Sequence, residues 1–314
     1  MAQNRAKTLL PAAAALIAGI SYGLNGTVSQ LVAAQGFTLQ HIAVMQFICA
    51  AVVLGIVTLI KRERLPRWKD ALRLLVLGVL QAGSALSLYV AIDDLSVGTA
   101  VAIQFQYVWM AVVVQNVAER SLPSKWVVIA AVIIIFGTVM GSGVADEAIA
   151  GELSGISLAG IAFAVACAVL YAFFIYLNGR FAVDHPPVSR TFVIAVGAVI
   201  VTSLVSPDFY VGACDVAALA PNALLMGFLA NILPCMCLAI AGRYLPGGVV
   251  AILTAAELPA AVASGCLLLG EPISVLRVVG VVLICLSIVL SEMDSFLKPK
   301  ETKGSAGRGD PAAS

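Results

Sequence analysis

"VVAILTAAELPAAVASGCLLL", residues 249–269, is an uninterrupted apolar run except near its centre, where Glu257 and Pro259 stand two positions apart. About 20 apolar residues give an α-helix long enough to cross the hydrocarbon of a bilayer. A carboxylic acid there is expensive, and proline removes one helix hydrogen bond. A span that keeps both carries more than anchorage.

Working outward, the same pattern fills the chain. Its 314 residues are 61% hydrophobic and 11% charged, whereas an ordinary soluble domain carries about 25% charged residues. Ten apolar spans are predicted, at 9–32, 41–60, 71–92, 98–118, 125–143, 156–178, 189–206, 222–242, 248–269 and 274–291. The fold class is therefore an all-α membrane protein with ten transmembrane helices. The first run is too long, and too polar at Asn25 and Ser29, for a cleaved signal.

Charge tests this map independently. With the N-terminus in the cytoplasm, all 18 basic residues except Arg277 fall on the cytoplasmic side, while Asp93, Asp94, Asp146, Glu147 and Glu152 fall outside. That is the positive-inside pattern of an integral protein of the plasma (inner) membrane with both termini cytoplasmic. The basic residues serve topology, so no nucleic-acid partner is expected. Residues 1–8 form the cytoplasmic N-terminus, and 293–314 a polar, Gly/Ser-rich cytoplasmic tail expected to be disordered.

Ten spans divide into five plus five, and an odd number per unit forces the two halves into opposite orientations, the inverted-repeat plan of many secondary transporters. Glu119 closes span 4 and Glu271 closes span 9, and aligning them gives an offset of 152 that sets Tyr107 opposite Pro259. On that alignment nothing requires the two central helices to bend alike.

The segment "LAIAGRYLPGGVVAILTAAELPAAVASGCLLLGEPISVLRVVGVVLICLSIVLSE" (238–292), together with "ISYGLNG" (20–26) and "GISLAGIAFAVACAVLYAFFIY" (155–176), resembles the EamA family of the drug/metabolite transporter superfamily. The matching features are Leu245-Pro246-Gly247, the mid-membrane Pro259, Gly270-Glu271 and Gly280. The resemblance implies two inverted five-helix EamA repeats at 9–143 and 156–292, joined by an external linker at 144–155. It also implies that the last helix of each unit lies outside a central cavity. Its Glu-x-Pro form of span 9 is shared with amino-acid exporters of the family.

Polar groups inside hydrocarbon must face protein or water, so their positions mark a cavity. Asn25, Gln46, Gln81, Gln104, Tyr107, Tyr171, Asn178 and Asn231 lie within spans 1, 2, 3, 4, 6 and 8. Span 9 adds Thr254, Glu257 and Ser264, spaced to share one helical face. Any single Gln or Asn could equally hydrogen-bond a neighbouring helix. Pro234 and Pro259 are helix-bending candidates. Pro259 should leave the carbonyl of Ala255 free, because no N–H at 259 can reach it. Gly137-x-x-x-Gly141 suits close helix packing or a homodimer contact. Glu119 and Glu271 are read as structural or gate residues, and His41 and His185 as solvated loop residues.

Glu257 is set apart because no Lys or Arg is placed at comparable depth to neutralise it. An ionised carboxylate buried there would cost at least a few kcal/mol, so at rest the group should be protonated or hydrated. It is the proton-coupling candidate, able to exchange a proton or to pair with a substrate amine.

No Walker loop, haem or metal motif appears, so no cofactor and no metal are expected. Ser21 and Cys235 have no membrane His or Asp beside them, which argues against an enzyme. A phosphorylated substrate would call for deep Arg or Lys. The reading is a secondary transporter, an exporter of amino acids or related amine-bearing metabolites, working by alternating access and driven by protons or as a uniporter. A passive channel-like facilitator and a non-transporting membrane scaffold are the alternatives.

Overall fold

The computed structural model describes residues 2–151, 157–212, 214–270 and 273–291. Fourteen α-helices are named in chain order. The first repeat holds α1 (Ala2–Ala33), α2 (Leu39–Ile60), α3 (Trp68–Asp94), α4 (Val97–Gln104), α5 (Tyr107–Glu119) and α6 (Lys125–Gly141). A short α7 (Val144–Ala150) leads to α8 (Leu158–Asn178), α9 (Pro187–Val205), α10 (Val216–Gly227), α11 (Leu233–Tyr244), α12 (Gly247–Thr254), α13 (Glu257–Ser264) and α14 (Val275–Ser291).

Among the described residues eight stretches are long and apolar enough to cross a membrane, and six of the fourteen helices pair up inside three of them, α4 with α5, α10 with α11 and α12 with α13. The fifth member of each repeat is shorter. Helices α6 and α14 have 17 residues apiece, at the lower limit of about 17 for a span. Helix α7 turns away from α6 by 52°. It occupies the predicted linker, where Ser96 meets Glu147 and Asp146 accepts from Ser274 at 2.6 Å.

The two repeats are related by a pseudo-twofold exchange, legible in who packs on whom. Helix α3 packs on α8 as α11 packs on α1, α3 on α9 as α10 on α2, and α8 against α4 and α5 as α1 against α12 and α13. Helix α6 packs on α14, and both also touch α12 and α13. That pairing absorbs the Gly-x-x-x-Gly motif. A Cβ on Gly280 would lie 2.6 Å from the Gly137 carbonyl oxygen and 2.6 Å from the Gly141 Cα, so the three glycines let two backbones touch within one chain.

The structural register between repeats is 150, not the 152 obtained by matching glutamates. Helix starts Val97, Tyr107 and Lys125 correspond to Gly247, Glu257 and Val275, and the left-handed residue closing α5, Arg120, corresponds to Gly270. Tyr107 therefore stands opposite Glu257, and Trp109 opposite Pro259. Glu271 and the tail from 292 lie outside the described residues.

Candidate functional site

The centre is built by two broken spans. Between α4 and α5 the N–H of Gln106 turns to the carbonyl of Ile103, and that of Val108 to Phe105; between α12 and α13, Ala256 donates to Leu253 and Leu258 to Ala255. Both breaks use the same tightened, three-residue bonds, so both spans are interrupted in the same way although only one holds a proline. In the first repeat the Gln106 amide supplies the cause: Nε2 takes the Ala102 carbonyl at 3.0 Å, displacing the backbone donor that a regular helix would place there. In the second, Pro259 has no N–H to offer. The Ala255 carbonyl is not left free, because Leu258 N–H binds it at 3.2 Å.

Helix α1 is laid against the second break by two glycines. A Cβ on Gly19 would stand 3.0 Å from the Thr254 carbonyl carbon, and one on Gly23 would stand 2.8 Å from the Ala261 nitrogen. This close approach brings Tyr22 to Tyr171 of α8, with ring centroids 5.9 Å apart, and Tyr171 in turn meets Tyr107 edge-on at 4.6 Å. Glu257, the first residue of α13, lies within electrostatic reach of all three tyrosines. The hydroxyl of Tyr107 donates to the Ala251 carbonyl at 3.5 Å. The hydroxyls of Tyr22 and Tyr171 and Oε2 of Glu257 are buried with no hydrogen-bond partner. Native interiors rarely leave such groups unpaired, and three converge here. Tyr22 was missed in the sequence because an aromatic residue on a span reads first as packing; its signal was its place between Ser21 and Gly23.

Around this centre the other predicted residues divide. Pro234 removes the donor for the Ala230 carbonyl, and a π-turn over Phe228–Ile232 sends the Leu233 N–H to Phe228, which frees the carbonyl of Leu229. Gln81 Nε2 donates to the Ala230 oxygen at 3.2 Å, and Ser21 Oγ to the Leu229 oxygen at 2.6 Å. Gln81 also accepts from Cys235 Sγ at 3.6 Å. Thr254 is bound to its own helix at Val250, and Ser264 pairs with Thr27 of α1 at 2.5 Å. Gln104 ends α4 beside the first break, 8% exposed. The side-chain oxygens of Asn25 and Gln46, and both amide atoms of Asn231, are buried and unpartnered.

Asn178 does not join this group. It is wholly buried at the end of α8, where Oδ1 accepts from Arg190 Nη2 at 2.8 Å. Arg190, counted from sequence among the basic residues of the cytoplasmic side, is itself 1% exposed. Nearby, Glu119 pairs with Arg180 and accepts from Gln115, whose own oxygen takes the Gly248 N–H at 2.7 Å. Partial burial lowers the proton affinity of Arg180, whose guanidinium also stacks 4.1 Å from the Tyr176 ring. Gln115, Glu119 and Arg180 line a cavity of about 330 Å³ at the basic end of the bundle, beside the Gly179–Gly242 contact. At the opposite end His41 lies inside α2, buried, and bonds Asp208 at 2.7 Å. His185 bonds Asp70 at 3.2 Å. Neither histidine is a free loop residue.

Comparison with known proteins supports this architecture. The family model described as "EamA-like transporter family" matches residues 9–142 and 158–293. No curated protein matches the sequence significantly. One solved structure, described as "Crystal structure of protein", superposes with a TM-score of 0.71 over 92% of this chain and 98% of that one, at 15% identity. At that identity the likeness shows the fold alone.

Proposed function

The chain belongs to the EamA-like transporter family of membrane transporters of small molecules, and from that premise we propose that it is a proton-coupled exporter of amino acids or related amine-bearing metabolites. The observation that carries this reading is the convergence of Glu257 Oε2 with the Tyr22 and Tyr171 hydroxyls, all buried and all unpartnered. A carboxyl group framed by aromatic faces suits an ammonium, through charge and through the ring quadrupoles together. One carboxylate cannot hold a proton and an ammonium at once. Loading substrate therefore releases a proton, and the empty carrier returns protonated, which couples the two fluxes in opposite directions.

The pseudo-twofold packing supports alternating access, with the two repeats rocking around a site at the level of the two helix breaks. The basic end of the bundle faces the cytoplasm on the positive-inside rule. The test is proteoliposome counterflow with a panel of amino acids and amines, read together with internal pH. Wild-type protein is expected to give saturable counterflow and substrate-dependent proton movement. Glu257→Gln should lose the proton movement while keeping its melting temperature. Proton movement unchanged in Glu257→Gln refutes the carrier role of Glu257, and non-saturable flux without counterflow favours a channel-like facilitator.

A further inference from the structure

We propose that Arg190 and Asn178 form a second, anionic-group subsite, one that holds the carboxylate of a zwitterionic substrate on its way between the cytoplasmic-side cavity and Glu257. The proposal rests on the reading of Glu257 as the amine site. Arg190 is 1% exposed and Asn178 is 0% exposed. Three of the guanidinium's donations are taken: Nε by the Phe181 carbonyl at 2.9 Å, and Nη2 by the carbonyl and the side-chain oxygen of Asn178. Nη1 of Arg190 and Nδ2 of Asn178 remain, on two side chains bonded to each other, both buried and both without an acceptor.

Two unsatisfied donors, one of them cationic, are costly in a protein interior. Among the ion pairs of the described residues none involves Arg190, and the Glu63 carboxylate at this end of α9 accepts instead from the Ser189 N–H. The missing partner is thus an acceptor carrying negative charge, and a planar carboxylate matches the fork of an arginine and an amide N–H beside it.

Placement gives the subsite its role. Asn178 adjoins Gly179, which lines the cavity at the basic end. In the other direction Cys235 is within electrostatic reach of Arg190 and bonds Gln81, and Gln81 lies beside Tyr22 of the Glu257 cluster. Cys235 and Gln81 thus stand between Arg190 and the Glu257 cluster, with a cation on one side and an acid on the other. An amino acid carries the complementary pair of charges, and a simple amine carries only one.

Arg190→Gln would also unfasten the end of α8, so the sharper variant is Asn178→Asp. It keeps the acceptor for Nη2, and the second carboxylate oxygen it introduces takes Nη1 itself, closing the subsite without emptying it. The measurement is ligand-induced thermal stabilisation of detergent-solubilised protein, with each amino acid compared to its decarboxylated amine: leucine with isopentylamine, phenylalanine with phenethylamine. Loss of a charge-assisted hydrogen bond of about 1.5–3 kcal/mol corresponds to a loss of about tenfold to hundredfold in affinity. Asn178→Asp is expected to weaken the amino acids by at least about tenfold and leave the amines within about twofold. Amino acids and amines bound alike by wild type, or weakened alike by Asn178→Asp, would overturn the subsite. So would an Asn178→Asp effect that appears in chloride and vanishes in gluconate, which would mark a chloride site. Stabilisation of wild type by no amine and no amino acid would instead overturn the reading of Glu257 on which the proposal stands.

Discussion

Replacing Gln81 by leucine should destabilise the protein through one carbonyl, and that carbonyl can be given its partner back. Pro234 leaves the Ala230 oxygen without a backbone donor, and Gln81 Nε2 fills the place from α3 at 3.2 Å. Leaving a buried acceptor unpaired costs about 1–3 kcal/mol, while measured side-chain hydrogen bonds between transmembrane helices average about 0.6 and reach about 1.7 kcal/mol. The site is buried and the acceptor has lost its ordinary partner, so the upper part of the membrane range applies, about 1–1.5 kcal/mol. Pro234→Ala restores an N–H one turn from Ala230. In that background Gln81→Leu should cost about 0.5 kcal/mol or less, which makes the coupling close to 1 kcal/mol, outside the 0.3–0.5 kcal/mol scatter of independent sites. The assay is reversible unfolding of the four proteins of the cycle in mixed micelles with increasing SDS. A full cost for Gln81→Leu in the Pro234→Ala protein would refute the account. It would mean that Gln81 is held by something other than the Ala230 carbonyl, and its contacts with Cys235 and Tyr22 would become the first candidates.

Three further outcomes follow from the geometry. Gly242→Val places a branched side chain where a Cβ on either glycine already meets the other backbone, 2.6 Å from Gly179 to the Gly242 Cα; overpacking of about 1–3 kcal/mol is expected as a lower melting temperature, and an unchanged one would show that the two helices do not cross so closely. The hydrogen bond from His41 holds Asp208 below the usual carboxylate range, so its contribution to stability is present above that ordinary range and is lost as pH falls through the lowered value; Asp208→Asn should remove this part of the acid sensitivity, and parallel wild-type and variant melting curves against pH would contradict it. Glu119→Gln breaks a pair whose side chains are 34% and 36% exposed, and screening limits the cost to under about 1 kcal/mol; a larger loss in an unfolding titration would show that the pair is a structural clamp, not a surface closure.

The spans were legible because the bilayer imposes one length and one polarity on each of them, and the alternation of Arg and Lys between loops fixes their number. The relation between repeats was legible in outline and misplaced in register. Glu119 ends its helix, followed by Arg120 in the left-handed conformation, whereas in the second repeat the left-handed residue is Gly270, and Glu271 comes after it. Matching side-chain types shifted the alignment by two, since what the repeats share is the backbone event that closes the helix. The same reason hid the first break. Proline is a visible breaker, but a glutamine amide that captures the Ala102 carbonyl is visible only once its rotamer is known. Arg190 was counted with the cytoplasmic segments because basic residues mark loops, whereas it sits one turn inside a helix that begins at Pro187. Asn178 shares a helical face with Tyr171 as the spacing requires, yet two turns along α8 carry it into the reach of a different helix.

Once the register is 150, the two halves of the centre can be compared position by position. The fold places Tyr107 and Glu257 at the same point of the same break, and Gln104 and Thr254 one turn earlier. They share the three-residue bonds of the break, so the scaffold offers two corresponding places at which a side chain can enter the core from a helix start. Equivalence of backbone is what alternating access needs, because each repeat must be able to adopt the other's conformation. Equivalence of side chains would defeat binding: two glutamates that close would repel or share a proton, and two tyrosines would present no charge. On the proposed function, the exchange of one acid for a phenol keeps the symmetry that motion needs and breaks it where a ligand would be told from solvent. Substituting Tyr107 by glutamate should therefore preserve the fold of the break yet alter proton coupling, and Glu257→Tyr should leave a symmetric centre that rocks without exchanging protons. Counterflow and internal pH measured on the two variants separate these effects. Proton movement retained by Glu257→Tyr would refute the assignment of coupling to this position.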